Sequence, residues 1–442
     1  MRILRDLYFT KRLAYALGLL CLLFIVSYWI EGFFFFAKSV FIFFLAYCSY
    51  EILLLFQQNA IEAERIVPSR LSNGDNNPIQ ITVSNFYSLS VKLEIIDELP
   101  FQFQKRDAAW KMNLMPQADD SISYFVKPYK RGQYNFGSLN ILCSLLLQLF
   151  ERRYRFNSGV RIPVYPSFIH LKRYELLAFG NIRRAGKVVV NKKLGHGMEF
   201  EQIKNYVQGD PQRWINWKAT ARRNDLMVNQ YTDEFSKDIW CFVDKGRLMK
   251  MPFDDLSLLD YSINATLAVS HIAIKAGDKM GLITFSNKLS SVIAPSRRST
   301  QMNRIMETLY AQRTHYKDSN YELLTAYIKN KIRRRSLVML FTNFETMHSF
   351  RRQLKVMKRI AAMHVLVVLF FENTEITDLL HSDSDSLKKI YKKTLAEEMN
   401  RQKQLMVKEL MAAGIYAVYV RPENLSLKTI NKYLEIKSRG VL

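Results

Sequence analysis

Residues 195–244 run Gly195-His-Gly-Met-Glu-Phe-Glu-Gln-Ile-Lys-Asn-Tyr-Val-Gln-Gly-Asp-Pro-Gln-Arg-Trp-Ile-Asn-Trp-Lys-Ala-Thr-Ala-Arg-Arg-Asn-Asp-Leu-Met-Val, and end in the apolar run Ile239-Trp-Cys-Phe-Val-Asp244. Gly209-Asp210-Pro211 reads as a turn, with Asp210 as the cap of a following helix and Pro211 at its first position. That helix sets Arg213, Trp217 and Ala221 on one side, with Trp214, Lys218 and Arg222 beside them. Two tryptophans edged by Arg213, Lys218, Arg222 and Arg223 suit either of two roles. One is a docking element between domains with the rings in a core; the other is a surface for a partner.

Outward from this stretch, the whole chain of 442 residues is long enough for two or three domains. Its 49% hydrophobic and 13% aromatic content excludes disorder. The net charge is +24, and from residue 60 on there are 59 basic against 37 acidic side chains, a net of +22. An excess spread so widely suggests an anionic partner or membrane surface and says nothing of fold. Four cysteines, 21, 48, 143 and 241, lack metal or redox spacing and read as buried thiols in a reducing compartment.

Upstream, Leu13–Ile30 is uncharged and apolar, and Phe33–Phe56 is broken only by Lys38 and Glu51. Each is long enough to cross a bilayer of ~30 Å, so residues 1–59 are expected to form a transmembrane helical hairpin, with spans at about 13–30 and 33–56. Tyr28, Trp29, Tyr47 and Tyr50 suit the interfacial belts. Arg2, Arg5, Lys11 and Arg12 before the first run, and Arg65 and Arg70 after the second, place both termini and the bulk of the chain in the cytoplasm, beneath the cytoplasmic membrane. The first run lacks the small-x-small site of a cleavable signal peptide.

Residues 60–170 carry short alternating runs: Ile79–Val83, Val91–Ile96, Ala109–Leu114, Ser121–Val126, Gln133–Phe136 and Arg161–Tyr165. Turn signals separate them, and the spacing predicts a small β-sandwich. Leu139–Phe150, too short to span a bilayer, reads as a buried strand or short helix. Residues 171–235 are left as a linker and the signature segment. From 236 to 442, buried strands at 239–243, 279–285, 337–342, 364–371 and 415–420 alternate with helical patterns. That pattern predicts a doubly wound parallel α/β sheet, whose chemistry would lie at strand ends such as Asp244 and Asn343.

Catalytic signatures are scarce. No phosphate-binding G-x-x-x-x-G-K-[ST] loop, H-E-x-x-H or G-x-S-x-G occurs, and the seven histidines have no ligand spacing. Glu199 and Glu201 could form an acid/base pair, but a salt bridge to Arg213 or Arg222 accounts for them more cheaply.

The run Gly197-Met-Glu-Phe-Glu through Tyr206-x-x-Gly209-Asp210-Pro-x-Arg213-x-Ile-Asn-Trp217-Lys218-Ala-Thr-Ala-Arg222 resembles the signature of the family called domain of unknown function 58. The resemblance implies a layout of two N-terminal transmembrane helices, a small β-sandwich and a von Willebrand factor A-like α/β domain. It also implies frequent association with AAA+ ATPases of the MoxR type, a role in assembly or maturation of other proteins, and no established enzymatic activity. A-like domains often hold a divalent cation through D-x-S-x-S, a threonine and a later aspartate. The matching positions here are Asp244, Gly246 and Leu248, then Asp318, Ser319 and Asn320, then Thr342 and Asn343, which lack most of those oxygen ligands. No tight metal site and no cofactor are expected. Lys245 and Arg247 are placed instead to receive a partner's carboxylate, or are simply exposed loop charges.

The expectation is therefore a membrane-anchored, non-enzymatic assembly or adaptor protein. Its partners would be the lipid bilayer and a protein, with a MoxR-type AAA+ ATPase as the candidate. Protein contacts are expected at Glu199, Glu201, Asp210, Arg213, Trp217, Lys218, Arg222, Asp244, Lys245 and Arg247. Nucleic-acid binding is the alternative, disfavoured because the basic residues are spread out and no nucleic-acid module is evident. A hydrolase using Glu199/Glu201 or Asp244 is weaker still.

Overall fold

The computed structural model describes residues 5–30, 33–57, 60–105, 108–145, 147–156, 159–184, 198–207, 210–223, 225–233, 237–314, 316–381 and 387–441. Two compact units make up the chain, Met1–Tyr165 and Pro166–Leu442.

The first unit begins with β1 (Leu7–Phe9), α1 (Lys11–Ser27) and α2 (Phe33–Gln57). Strands follow as β2 (Ile61–Ile66), β3 (Leu71–Ser72), β4 (Asn77–Asn85), β5 (Val91–Asp97), β6 (Ala109–Leu114) and β7 (Asp119–Val126). The unit closes with β8 (Gly132–Phe136), β9 (Leu139–Ser144), β10 (Phe150–Phe156) and β11 (Val160–Tyr165). Three sheets result, in the orders β1-β10-β9-β5-β6, β2-β4-β7 and β3-β11-β8. Alternation decides which face of each strand is buried: Ile79, Ile81 and Val83 of β4, and Val91, Leu93 and Ile95 of β5, point inward. The same core holds Cys48 and Leu55 of α2, so the end of that helix is packed into the β unit. Arg65 and Asp97 form an ion pair with both side chains fully buried. Arg65 also donates to the Gly137 carbonyl (3.0 Å), and the Tyr124 hydroxyl donates to Asp97.

The fold expected from the sequence needs correction here. Among the described residues a single helix, Phe33–Gln57, is long and apolar enough to cross a membrane, so two N-terminal spans are not present. α1 is a helix of 17 residues that opens on Lys11 and Arg12 and stops at Ser27, short of Ile30. Ahead of it the chain forms β1, which adds to the edge of the five-stranded sheet through Leu7↔Arg152 and Phe9↔Phe150. The first unit is thus mainly strands in several sheets, not a helical hairpin followed by a simple two-sheet sandwich.

The second unit contains α3 (Leu171–Arg184), a ribbon of β12 (Met198–Asn205) and β13 (Met227–Asp233), and α4 (Trp217–Arg223) between them. Its main sheet comprises β14 (Asp238–Asp244), β17 (Lys279–Phe285), β18 (Leu289–Ser296), β19 (Leu337–Phe341), β20 (Val365–Phe371) and β21 (Tyr416–Val420). A small hairpin, β15 (Pro252–Phe253) and β16 (Leu256–Ser257), precedes the first long helix. The sheet order is β18-β17-β14-β19-β20-β21, parallel throughout except for the antiparallel edge β18. On one face Ile239, Cys241 and Val243 meet α5 (Leu258–Lys275), α6 (Thr300–Tyr310) and α11 (Leu425–Ser438). On the other, Trp240 and Phe242 meet α7 (Tyr321–Lys331), α8 (Met347–Met363) and α10 (Leu387–Ala412), with α9 (Thr374–His381) preceding α10. α5 starts on a capping box in which Ser257 and Asp260 satisfy each other's backbone donors.

Part of the segment expected to be a linker is held in place. Glu175 of α3 bonds His271 (3.0 Å) and Lys275 (2.9 Å) on α5. At the sheet's opposite end from the strand tips discussed below, buried Asp278 accepts from Tyr433 (2.5 Å) and Lys437 (2.7 Å), which fastens α11 to the turn before β17.

Candidate functional site

β14 is followed in sequence by β17 on one side of it and by β19 on the other. The sheet's order therefore reverses there, and the carboxyl ends of β14 and β19 flank a crevice. Asp244 ends β14 and is 4% exposed. One carboxylate oxygen accepts from the Gly246 amide (2.8 Å) and the Ser319 hydroxyl; the other lies 2.8 Å from Thr342 Oγ1 and 3.3 Å from Tyr321 OH. These two hydroxyls bond each other at 2.5 Å, so one of them donates to the carboxylate and the other to its neighbour. Burial pushes this carboxyl above its ordinary range, while the donors from Ser319, Gly246, Thr342 and Tyr321 pull it back. Gly246 is needed for the packing: a Cβ there would sit 2.2 Å from Ser319 Oγ and 3.1 Å from Asp244 Oδ1.

Above the carboxylate lies a cleft of about 200 Å³ lined by Asp244, Arg247, Ser319, Asn343, Ser349 and Arg352, among others. Arg247 is exposed and pairs with Asp318 at 3.2 Å. Lys245 differs from the exposed loop charge expected for it. It is 3% exposed, and its ammonium donates to Gln312 Oε1 (2.8 Å), so it is not presented to a partner. Asn343 accepts from the Phe344 amide (3.0 Å) and from Lys403 Nζ (3.4 Å), and Leu248 lines the cleft.

The donor set does not fit a hard divalent cation, which wants several free oxygen ligands. Both oxygens of Asp244 already take donors, Asn343 supplies an amide in place of a carboxylate, and Arg247 engages Asp318. Among the described residues, no three His, Cys, Asp or Glu side chains converge.

Lys403, remote in sequence, reaches under the cleft from α10 and also donates to the Phe344 carbonyl. Burial pushes its ammonium down to about 8, opposed by Glu345. Below pH 8 both folded and unfolded chains carry this proton, so the cost of burying the charge is fully present. Between about 8 and 10.5 the folded chain has released it while the unfolded chain still binds it, and that cost fades. Wild type should therefore gain up to about 3 kcal/mol relative to Lys403→Met as pH rises through that window. Paired urea titrations at pH 7 and 10.5 measure it, and a pH-independent difference would remove the buried charge from the account.

The signature segment forms a second site. The helix expected from Pro211 onward is broken: a 3₁₀ turn covers Gln212–Trp214, and α4 begins only at Trp217. Asn216 is the cap, accepting from the Ala219 amide (3.0 Å), while Asp210 closes a turn by accepting from the Val207 amide (3.1 Å) and pairing with Lys204 (3.0 Å). These two bonds, the Val207 amide first, hold the Asp210 carboxyl below its ordinary range. Arg213 consequently lies off the Trp217 helix and sits over the Trp214 ring at 5.5 Å. Trp217 is 70% exposed, not part of a core. Lys218, Arg222 and Arg223 line a shallow cleft with Ile203, Asn216 and Met227. Glu199 and Glu201 lie on β12, Glu201 at its bulge, and their own side chains, and with them the expected salt bridges to Arg213 or Arg222, lie outside what the structure describes. Gly195, His196, Gly197 and Gly209 also lie outside them.

These observations define a parallel α/β unit with a saturated buried aspartate at its sheet reversal and an exposed basic-aromatic helix. Residues 202–376, less than half of the chain, match the family described as "Protein of unknown function DUF58". The chain is similar to the uncharacterized protein YeaD of Bacillus subtilis (strain 168), at 22% identity over 244 residues, covering 54% of this chain and 59% of that protein. It thus spans under two thirds of that relative's length. Among solved structures, proximal thread matrix protein 1 from the mussel byssus aligns with a TM-score of 0.27 and 9% identity, over 46% of this chain and 47% of that one. The PapD-like domain 7 of human CEP192 aligns at 0.18 and 14%, over 24% and 83%. At such scores neither likeness bears on the fold.

Proposed function

We propose that this chain is a membrane-anchored, non-enzymatic assembly or adaptor protein whose α/β unit, von Willebrand factor A-like in character, binds an acidic protein partner. The observation that carries the reading is Trp217, 70% exposed on a short helix whose next residues include Lys218, Arg222 and Arg223. A large aromatic ring beside several cations is the composition of an interface centre, where a few such side chains supply most of the binding energy. Two further features support it. Asp244, the best-placed carboxylate for chemistry, is occupied by donors on both oxygens and, among the described residues, has no histidine, lysine or second carboxylate bonded to it. Helix α2 supplies an apolar segment of suitable length for an anchor.

The resemblance points to a MoxR-type AAA+ ATPase as the partner class. Crosslinking in native membranes tests the reading, comparing wild type with the double variant Arg213→Glu/Arg222→Glu. Two charge reversals opposite an acidic surface should lower capture of the bound protein at least tenfold, most at low salt. An unchanged set of captured proteins would end this proposal.

A further inference from the structure

α2 is apolar along its outer side for nearly its whole length. Exposed large side chains run from Phe34, Phe35 and Phe36 through Phe41, Ile42, Phe43 and Leu45 to Tyr50 and Leu53. From Phe34 to Leu53 a helix rises roughly 29 Å at 1.5 Å per residue, which matches a hydrocarbon layer of ~30 Å. Its inner side behaves differently. From Phe44 onward it is packed into the β unit: Phe44 and Tyr47 lie against that core, Cys48 and Leu55 belong to it, and Glu51 is 1% exposed. The segment clear of the β unit, about 33–43, lies against α1 through Phe24, whose ring meets Phe34 at 6.4 Å and Phe41 at 6.0 Å. It is only some 16 Å long by the same rise, too short for a full layer. A bilayer that covers the outer side down to Leu53 must therefore also meet the part of the β unit lying alongside Tyr47–Glu51.

That part is defined by hydrogen bonds. The Thr10 hydroxyl donates to the Gln148 carbonyl (2.6 Å), the Thr10 amide to Leu149 O (3.2 Å), and Arg12 to Leu147 O (3.4 Å). Beside this junction β1 and Leu147 present apolar side chains to the outside: Phe9 is 71% exposed, Leu147 54% and Tyr8 40%. Phe9 stacks edge-on against Phe150 at 5.9 Å, so it is held in its outward position. Arg5, Lys11 and Arg12 are exposed around it. Aromatic and aliphatic groups ringed by cations are the composition of a membrane-water boundary next to anionic headgroups.

We infer that Phe9 and Leu147 form a lipid-contacting collar, which seats the end of the β unit in the near headgroup layer while α2 enters the hydrocarbon. This inference rests on the anchor reading above and assigns a second membrane contact, made by strand and loop. It also accounts for Glu51, which at that depth is screened from lipid by the protein packed over it.

The test uses the full chain in vesicles of phosphatidylcholine and phosphatidylglycerol. Cys21→Ala removes the exposed cysteine, leaving the buried Cys48, Cys143 and Cys241. An environment-sensitive fluorophore is then attached at Leu147→Cys, at Phe9→Cys and, as reference, at Phe101→Cys. Phe101 is 85% exposed and follows the far end of β5. Labels at 147 and 9 should be quenched at least threefold more by lipids carrying a nitroxide near the headgroup than the label at 101, and at least threefold less by aqueous iodide. Equal iodide quenching at all three sites, in protein that floats with the vesicles, would overturn the collar and leave the anchor standing. Failure to float at all would overturn both.

Discussion

Asp244→Ala should destabilise the α/β unit by about 3 kcal/mol. The substitution leaves the Gly246 amide, the Ser319 hydroxyl and one of the two mutually bonded hydroxyls of Thr342 and Tyr321 without their shared acceptor. Orphaned buried donors cost roughly 1 kcal/mol or more each, and relief of the buried charge offsets part of the sum. Asp244→Asn should cost less, about 1–2 kcal/mol. Its carbonyl still serves the Gly246 amide, and the hydroxyls of Thr342 and Tyr321 can turn to accept from the new amide group. Hydrogen exchange in peptides covering Asp238–Asp244 and Leu337–Phe341, together with urea unfolding, reads both effects. An alanine variant within 0.5 kcal/mol of wild type, or an asparagine variant worse than alanine, would show that the carboxylate does not organise the strand ends.

The second large effect belongs to the β unit. Arg65→Met should cost about 3–5 kcal/mol, because it strands the Asp97 carboxylate, fully buried, with the Tyr124 hydroxyl as its remaining neighbour in this cluster. The guanidinium also packs over the Phe136 ring at 5.1 Å, a contact that methionine partly replaces. Arg65→Met/Asp97→Leu should recover more than half of the loss, since removing both charges also removes the need to solvate either one. A double variant no more stable than Arg65→Met would mean that the pair contributes through packing and not through charge.

Much of the local structure was legible because buried strands announce themselves. Ile239–Val243 falls within β14, and Ala109–Leu114 and Lys279–Phe285 coincide with β6 and β17. Leu289–Ser296 was missed although it is an edge strand, because its serines dilute the apolar pattern. Hydropathy misjudged the N-terminus for a physical reason. It counts apolar residues without knowing where a helix will stop or whether lipid or protein will cover it. Here the helix in the first run ends at Ser27, with Leu13 and Ala16 packed against the β unit's core. The broken helix at Ile215 went unseen because Pro211 is an equally good start for a longer one. Asp244 could be singled out as the end of a buried strand, whereas its partners could not. Ser319, Tyr321 and Thr342 lie 75 to 98 residues away, and no spacing rule links them. Lys245 misled for the same reason, its partner Gln312 being 67 residues on.

The pairing of β1 with β10 has a bearing on how the chain is made. Leu7 finds Arg152 only after some 140 residues have been synthesised, with an apolar helix already committed in between. Long-range closures of this kind are slow. Until β1 arrives, the outer backbone of β10 is an open edge able to recruit a strand from elsewhere. Deleting the first ten residues leaves that edge open for good, and should show itself in yield, as chains that pair with one another through β10.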